Sequence, residues 1–257
     1  MTKTILNTKN ITGHEVLAAA GKKILRPGGR LATEQLLQWA EFKPGETVLE
    51  LASSFGYSAI ALAQRYNVRV VGIEKNPQSV ARARANIAAA GLSNQVEIID
   101  GDIYHLQQIT EEFDYVLAEA ILTMQSLPGK AKLFSMICER LKPGGKFLFH
   151  ELLARNNETE INKALAQVIR VNSTPLSEFN WILLCENAGL QVQQCQTGKM
   201  ELLKLQRILE DEGIVDTVRF LWNIFRYPQL RERVLAMRQV FDKYQQDLGY
   251  IIICVTR

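Results

Sequence analysis

The stretch ETVLELASSFGYS, at residues 46–58, combines an apolar run with a loop of small side chains. The apolar run follows a KPG turn at residues 43–45, and this context favours a buried strand. The loop leads into a helix predicted to include residues 60–64. Small side chains let a ligand approach the backbone, and the first amides of a helix are free donors. The stretch therefore predicts a strand, a ligand-binding loop and a helix in succession.

The same unit recurs toward the C-terminus. The clearest helix begins at Asn76, a good N-cap followed by Pro77, and ends at Gly91. Further apolar runs predict four more strands, at residues 69–74, 96–100, 113–118 and 146–151. Strand–helix alternation at spacings of roughly 20 to 30 residues predicts right-handed crossovers and a doubly wound α/β sheet with parallel strands.

The alternation loosens after residue 151. A helix is predicted at 177–188, and two more strands at 190–196 and 250–255. Between those strands, helical periodicity predicts an insertion of three helices. Its apolar stripes are Leu202, Leu205 and Leu209, then Val218, Leu221 and Phe225, then Leu230, Val234, Met237 and Phe241.

The predicted organisation has three parts. Residues 1–44 form an N-terminal helical cap segment. Residues 45–198 and 247–257 form the sheet domain. Residues 199–246 form the helical insertion, which either packs onto the sheet domain or covers a substrate as a lid.

Composition excludes several classes of protein. The 257 residues are 47% hydrophobic with a net charge of +3, which is typical of a globular chain of one or two domains. The basic residues are scattered, which argues against a nucleic-acid-binding face. No apolar run approaches the ~20 residues of a membrane span, and the N-terminus has no signal-peptide core. The four cysteines form no CxxC pair and the three histidines are scattered, so we expect no metal site and a reduced, cytoplasmic protein.

Polar residues follow successive predicted strands. Glu50 ends the first strand and Glu74 the second, while Asp102 follows the third and Glu119 the fourth. In a doubly wound sheet, ligands bind beyond these carboxyl ends. A carboxylate at the end of the second strand suits the two hydroxyls of a ribose, and one after the third strand suits an exocyclic amine. The strand ends therefore predict a nucleotide-type site.

These residues, in this order, make the sequence resemble the class I S-adenosylmethionine-dependent methyltransferases. The resemblance covers roughly residues 44–196 and the last strand. It rests on VLELASSFG (48–56), VVGIEKN (70–76), IDGDI (99–103), FDYVLAEA (113–120) and LKPGGKFL (141–148). It implies a seven-stranded Rossmann-like sheet whose last strand, in LGYIIICVTR, is antiparallel and lies beside the fifth.

The resemblance also implies a cofactor site for S-adenosyl-L-methionine and its product S-adenosyl-L-homocysteine. The loop after the first strand would hold the methionine part, Glu74 the ribose, and Asp102 with the Ile103 amide the adenine. The implied cofactor-binding residues are Glu50, Ala52, Ser53, Ser54, Gly56, Tyr57, Glu74, Lys75, Gly101, Asp102, Ile103 and Glu119. The family's first motif has three glycines. This chain has Ala52, Ser54 and Gly56 there, so only the third glycine is kept.

Methyl transfer from a sulfonium needs chiefly alignment and exclusion of water, and needs a base only when the acceptor carries a proton. The candidates are Glu119, His150 and Glu151, near strand ends; for His150, a structural role at a strand end is the stronger interpretation. Arg26 and Arg30 flank a Pro-Gly-Gly turn, and surface charge is their stronger interpretation over contact with a ligand carboxylate. His14 and His105 are predicted to be structural.

The substrate is predicted to be a small molecule. No Asn-Pro-Pro-Tyr-type tetrad follows the fourth strand, no Pro-Cys nucleophile is present, and the insertion is rich in apolar residues. Two alternatives stay open. One is a protein that binds the cofactor without methyl transfer, as a sensor or partner subunit; the other is a methyltransferase acting on protein or RNA. The sequence leaves homo-oligomerisation open.

Overall fold

The protein is described by a computed structural model over residues 11–257, so the first ten residues of the predicted N-terminal segment lie outside the described residues. Its strands are β1 (Thr47–Leu51), β2 (Arg69–Glu74), β3 (Val96–Asp100), β4 (Phe113–Glu119), β5 (Leu141–Ala154), β6 (Gln191–Lys199) and β7 (Leu248–Thr256). They form one sheet in the order β3-β2-β1-β4-β5-β7-β6. The first five pair in parallel, and β7 is antiparallel to both β5 and β6. The predicted fold class, including the reversed last strand, is confirmed.

Helices cover both faces of the sheet and one of its ends. They are α1 (Gly13–Ala20), α2 (Gly29–Ala40), α3 (Tyr57–Tyr66), α4 (Pro77–Ala89), α5 (Leu127–Arg140), α6 (Glu158–Ile169), α7 (Glu178–Asn187), α8 (Leu205–Arg226) and α9 (Pro228–Lys243). The predicted start of α4 is confirmed, because the Asn76 side chain accepts hydrogen bonds from the Gln78 and Ser79 amides.

The inner strands are apolar because both of their faces are covered, whereas β6 at the edge of the sheet is polar and largely exposed. In β1, Leu49 and Leu51 face a cluster that includes residues of α5 and α7, and Val48 faces a second cluster with α2, α3 and α4. Successive side chains of a strand point to opposite faces, so a doubly covered strand has no polar face. This explains why the strands were recognisable from continuous apolar runs.

A third cluster lies beyond the carboxyl end of β5 and the start of β7. It is built by α1, α6, α8 and α9, and it includes Ala154 and Leu248 from the two strand ends. This all-helical layer therefore covers part of the sheet edge at which ligands bind in such folds.

The predicted turn at residues 142–145 lies inside β5. Leu141 pairs with Phe113 and Lys146 pairs with Tyr115, so one residue of β4 lies opposite four residues of β5. Gly144 has a φ of +77° within this irregular stretch, a conformation that a side chain disfavours. The strand therefore begins earlier than predicted and contains a bulge.

Helix α8 is broken at Gly213, which has φ 78° and ψ 172°. The break divides it into the two helices that the sequence predicted. The buried residues, however, are Ile208, Asp211, Thr217 and Phe220. The predicted apolar stripes lie mostly on the surface, as the exposure of Leu205, Leu209, Val218, Leu221 and Phe225 shows. By contrast, the stripe of α9 is confirmed: Leu230, Val234 and Met237 are buried, and Phe241 is partly buried against them.

The buried face of α8 holds the N-terminal part of the chain. Asp211 accepts a hydrogen bond from the Arg30 amide at 2.8 Å, in the first turn of α2, where a negative charge is favourable. Glu212 accepts from the amides of Lys23 and Ile24 at 3.0 and 2.8 Å. Lys22 is buried between the two carboxylates. These contacts fix the segment that leads into the Pro-Gly-Gly turn.

Within residues 11–257, no helix is both long enough and apolar enough to cross a membrane.

Candidate active site

The loop after β1 adopts a left-handed backbone at three positions. Ala52, Ser54 and Gly56 have φ values of 56°, 50° and 76°. These are the positions at which the family motif has glycine, and alanine or serine is strained in this conformation. The chain therefore keeps the backbone shape of a three-glycine loop although only one glycine is present.

The same loop is tied to the end of β2. The Ser53 amide donates to the Ile73 carbonyl at 2.9 Å, and the Ser54 amide donates to Glu74 Oε2 at 2.9 Å. Gly72 permits this close approach, because a Cβ there would lie 2.2 Å from the Ser53 hydroxyl oxygen. The structure thus brings the predicted residues of the first two strand ends together.

Glu74 and Asp102 lie at neighbouring strand ends. Glu74 Oε1 accepts a second hydrogen bond, from the Asn76 amide at 2.8 Å, and the side chain stays partly exposed. Asp102 forms a 2.8 Å ion pair with Lys75 and accepts a hydrogen bond from the Tyr104 amide. The hydrogen bond from Lys75 is the main reason why the pKa of Asp102 is lowered. Each carboxylate keeps acceptor capacity for a ligand.

The other predicted residues of this region surround these carboxylates. The Gly101 amide donates to the Glu74 carbonyl at 3.0 Å, and Ile103 is buried. Tyr57 starts α3 and is 57% exposed, with its ring edge against Phe55.

A chain of hydrogen bonds connects the ends of β4 and β5 to the Pro-Gly-Gly turn. The Gly28 amide donates to His150 Nε2 at 3.0 Å. Because that nitrogen is an acceptor, the ring proton of a neutral His150 is on Nδ1, which lies 3.2 Å from the Thr33 hydroxyl. The hydroxyl donates to Glu119 Oε1 at 2.6 Å, and Arg26 pairs with Glu119 Oε2 at 2.9 Å. The His150 ring thus accepts at Nε2 and donates at Nδ1, and the Thr33 hydroxyl accepts from the ring and donates to Glu119.

The charge states of His150 and Glu119 follow from their burial and from the ion pair between Glu119 and Arg26. Burial lowers the pKa of His150 and outweighs the attraction of Glu119, so the imidazole is neutral. Burial alone would raise the pKa of Glu119, but Arg26, then the nearby His150 and the hydrogen bond from Thr33, lower it below its usual value. Glu119 is therefore an ionised partner of Arg26.

Arg26 corrects one interpretation of the sequence. It was expected to be a surface charge, but its side chain is only 22% exposed and contacts both Glu119 and, at 2.5 Å, the Ser58 hydroxyl. Arg30 instead donates to Asp211 of α8, from its backbone amide to the carboxylate and from its guanidinium to the carbonyl. The position of Arg26 depends on the fold around residues 22–30. Its charge and the nearby turn were therefore the only features of the sequence that could have indicated its contact with Glu119.

Glu151 has no unused acceptor position. It accepts hydrogen bonds from the amides of Ile121, Leu122 and Thr123 at 2.6 to 3.0 Å, and from the Thr123 hydroxyl at 2.6 Å. Burial raises its pKa, while the four donors favour the carboxylate. These contacts hold the loop after β4 against β5 and favour a positioning role.

Glu50 is buried at the centre of the strand ends. Its Oε2 has no hydrogen-bond partner among the described residues. Burial raises its pKa to about 7, and the negative charge of Glu119 adds to the effect. An unpartnered buried carboxylate oxygen calls for a donor or a positive charge.

An apolar cavity opens beside these residues. It contains ≈ 690 Å³ of empty space, part of it open to solvent, and it begins at Ala120 and Glu151 and extends between α1, α6 and α9. Its walls are mainly aliphatic, with Leu17, Leu165 and Met237 from the three helices. His14, which was expected to be structural, also lines it.

Comparison with known proteins agrees with this geometry. Residues 48–145 match a family model described as a methyltransferase domain. A Haemophilus influenzae protein described as uncharacterized is 32% identical over 96% of this chain and 98% of its own length. Methyltransferase GfsG of Streptomyces halstedii is 25% identical over 80% of this chain and 78% of its own. The S-adenosyl-L-homocysteine complex of a Thiobacillus denitrificans methyltransferase superposes with a TM-score of 0.68, at 17% identity, over 95% of this chain and 98% of that chain.

The residues at the strand ends suit S-adenosylmethionine. The unpartnered Glu50 oxygen suits the positive charge of its methionine part, the loop from Ala52 to Gly56 exposes backbone close to it, and Glu74 has acceptors for ribose hydroxyls. With the matched domain and a relative that aligns over nearly the full length, this chemistry identifies the chain as a member of the class I S-adenosylmethionine-dependent methyltransferases.

Proposed function

We propose that this methyltransferase transfers the methyl group to a small molecule that binds in the apolar cavity. The observation that carries the proposal is the position of the cavity, which begins at Ala120, the residue after Glu119, at the end of β4. A recessed, largely aliphatic space suits a small ligand better than a polynucleotide, which needs a basic surface.

We assign the parts of the chain accordingly. Residues 45–198 and 247–257 bind the cofactor and supply part of the cavity wall, through residues such as Glu151, Leu165 and Ser173, while residues 1–44 and 199–246 supply the rest of the substrate side. The support is that α1 and α9 line the cavity, whereas the carboxylates after β1, β2 and β3 lie on the sheet.

The cofactor supplies an electrophilic methyl group on a sulfonium; the chain supplies alignment and removes water. Glu119 is the candidate base for an acceptor that carries a proton. It accepts two hydrogen bonds and so has acceptor capacity left, whereas both nitrogens of His150 and all positions of Glu151 are engaged. We therefore assign His150 and Glu151 positioning roles.

The test is transfer of labelled methyl from S-adenosylmethionine into separated pools of metabolites, protein and RNA. We expect label in the metabolite pool. Label found only in protein or RNA would refute the small-molecule acceptor. Glu74→Ala should weaken binding of S-adenosyl-L-homocysteine in calorimetry without unfolding the protein; an unchanged affinity would remove the ribose assignment.

A further inference from the structure

The polar groups that line the cavity are few. Its polar side chains are His14, Thr123, Glu151 and Ser173, and no Lys or Arg side chain is among its described lining residues. Thr123 and Glu151 bind each other, and the His14 ring lies within hydrogen-bond distance of the Thr12 hydroxyl. Of these four side chains, Ser173 is the one whose hydrogen-bond partner has still to be identified.

Ser173 is 1% exposed, and its hydroxyl oxygen has no hydrogen-bond partner among residues 11–257. A buried hydroxyl without a partner is unfavourable and uncommon in folded proteins. Because Ser173 is among the residues that line the cavity, a ligand in the cavity can supply the missing partner.

The backbone beside Ser173 is held in place. The Thr174 amide donates to the Thr123 carbonyl at 2.8 Å, and the Thr174 hydroxyl donates to the Gln125 carbonyl at 2.6 Å. The buried Lys130 ammonium donates to the carbonyls of both Thr174 and Gln125, at 2.9 and 2.6 Å. The backbone next to Ser173 is thus fixed to the segment after β4 before any ligand binds.

We propose that Ser173 is a specificity-determining residue for an uncharged acceptor with an apolar body and one hydroxyl or carbonyl oxygen. The proposal rests on the small-molecule function above and specifies the substrate class. The oxygen pairs with the Ser173 hydroxyl, and the body fills the aliphatic part of the cavity. Phosphorylated or carboxylated acceptors are disfavoured, because no cationic side chain lines the described wall and the buried Glu151 carboxylate repels an anion.

Three matched probes test the proposal: 4-propylphenol, propylbenzene and 4-propylphenyl phosphate, each titrated calorimetrically into the full chain saturated with S-adenosyl-L-homocysteine. The wild type should bind the phenol about tenfold more tightly than propylbenzene, the effect of one hydrogen bond. Ser173→Ala should reduce that preference to about twofold or less and leave propylbenzene affinity unchanged. Ser173→Cys, with a weaker donor of similar size, should give an intermediate preference.

The control is Ser135→Ala on α5, which removes an exposed hydroxyl and should keep the tenfold preference. A preference that survives in Ser173→Ala, tighter binding of the phosphate than of the phenol, or no binding of either uncharged probe would each overturn the proposal. Failure of S-adenosyl-L-homocysteine to bind would instead refute the cofactor site; the probe titrations without it then still decide the role of Ser173.

Discussion

Glu50→Gln is expected to stabilise the protein while weakening its cofactor site. The Glu50 side chain is buried, one of its oxygens has no partner among the described residues, and Glu119 lies close enough to repel its charge. Glutamine has nearly the same shape and carries no charge, so the substitution removes the electrostatic cost and leaves the packing. Enzymes commonly contain binding-site residues that serve function but lower the stability of the folded protein.

The magnitude follows from the pKa of Glu50, which rises from 4.5 to about 7 on folding. Below pH 4.5 both the folded and the unfolded chain keep this proton, and the substitution should have little effect. Between pH 4.5 and 7 the folded chain holds a proton that the unfolded chain releases, so the wild type loses stability as pH rises. At 1.36 kcal/mol per pH unit the loss above pH 7 is about 3 kcal/mol, which Glu50→Gln should recover.

The assay is urea unfolding of both proteins at pH 4.5, 6 and 8, followed by circular dichroism. The stability difference should grow from near zero to about 3 kcal/mol over this range. Glu97→Gln, at an exposed position of β3, is the matched control and should stay within about 0.5 kcal/mol of the wild type throughout. A Glu50→Gln protein that is less stable than the wild type at pH 8, or a difference that does not depend on pH, would show that the buried charge is not what destabilises this site.

Three other substitutions test the surrounding geometry. Ala52→Gly should raise the free energy of unfolding by about 0.5–1 kcal/mol, because glycine relieves the left-handed strain, whereas Ala63→Gly inside α3 should lower it by about 1 kcal/mol; equal signs would contradict this account. Arg26→Gln should lower the free energy of unfolding by roughly 2–4 kcal/mol at pH 8 and by less at pH 5, because without the guanidinium the pKa of Glu119 rises and its buried charge becomes unfavourable. Chemical unfolding at the two pH values measures this difference. A loss of stability that does not depend on pH would refute the reasoning. Asp211→Ala should destabilise the protein by about 1–3 kcal/mol and weaken binding of S-adenosyl-L-homocysteine, because it removes the acceptor that holds the Arg30 amide at the start of α2. A free energy of unfolding within about 0.5 kcal/mol of the wild type would contradict this role of Asp211.

The sheet was predictable because its signals are local. Strands covered on both faces are apolar over most of their length, and a cap such as Asn76 acts within its own first turn. The faces of α8 were not predictable from periodicity. The stripe of Val218, Leu221 and Phe225 follows helical spacing but lies exposed, while Asp211 of the same helix is buried by its contacts with Lys22 and Arg30, distant in sequence.

The same distinction between local signals and contacts distant in sequence applies to the residues of the candidate site. Glu50, Glu74 and Asp102 were predicted because each follows a strand, and the order of the strands places them together. Arg26 could not be assigned in this way, since it precedes the sheet and reaches Glu119 through a turn fixed by α8. Neither could the Ser173 hydroxyl, which has no hydrogen-bond partner among residues 11–257, because a missing hydrogen bond is a property of the folded chain.

The contacts of residues 199–246 bear on whether this region acts as a lid. Met237 of α9 is fully buried yet lines the cavity, so it belongs to the packed core as well as to the wall. Asp211 and Glu212 hold residues 22–30 through buried carboxylates, and Arg26 in that segment pairs with Glu119. A lid that opened at every turnover would have to expose or break these contacts, at a cost of several kcal/mol for each buried charge left unpaired. The geometry therefore favours a fixed wall, so loosening α8 should weaken cofactor binding together with turnover, whereas a mobile lid would affect turnover more.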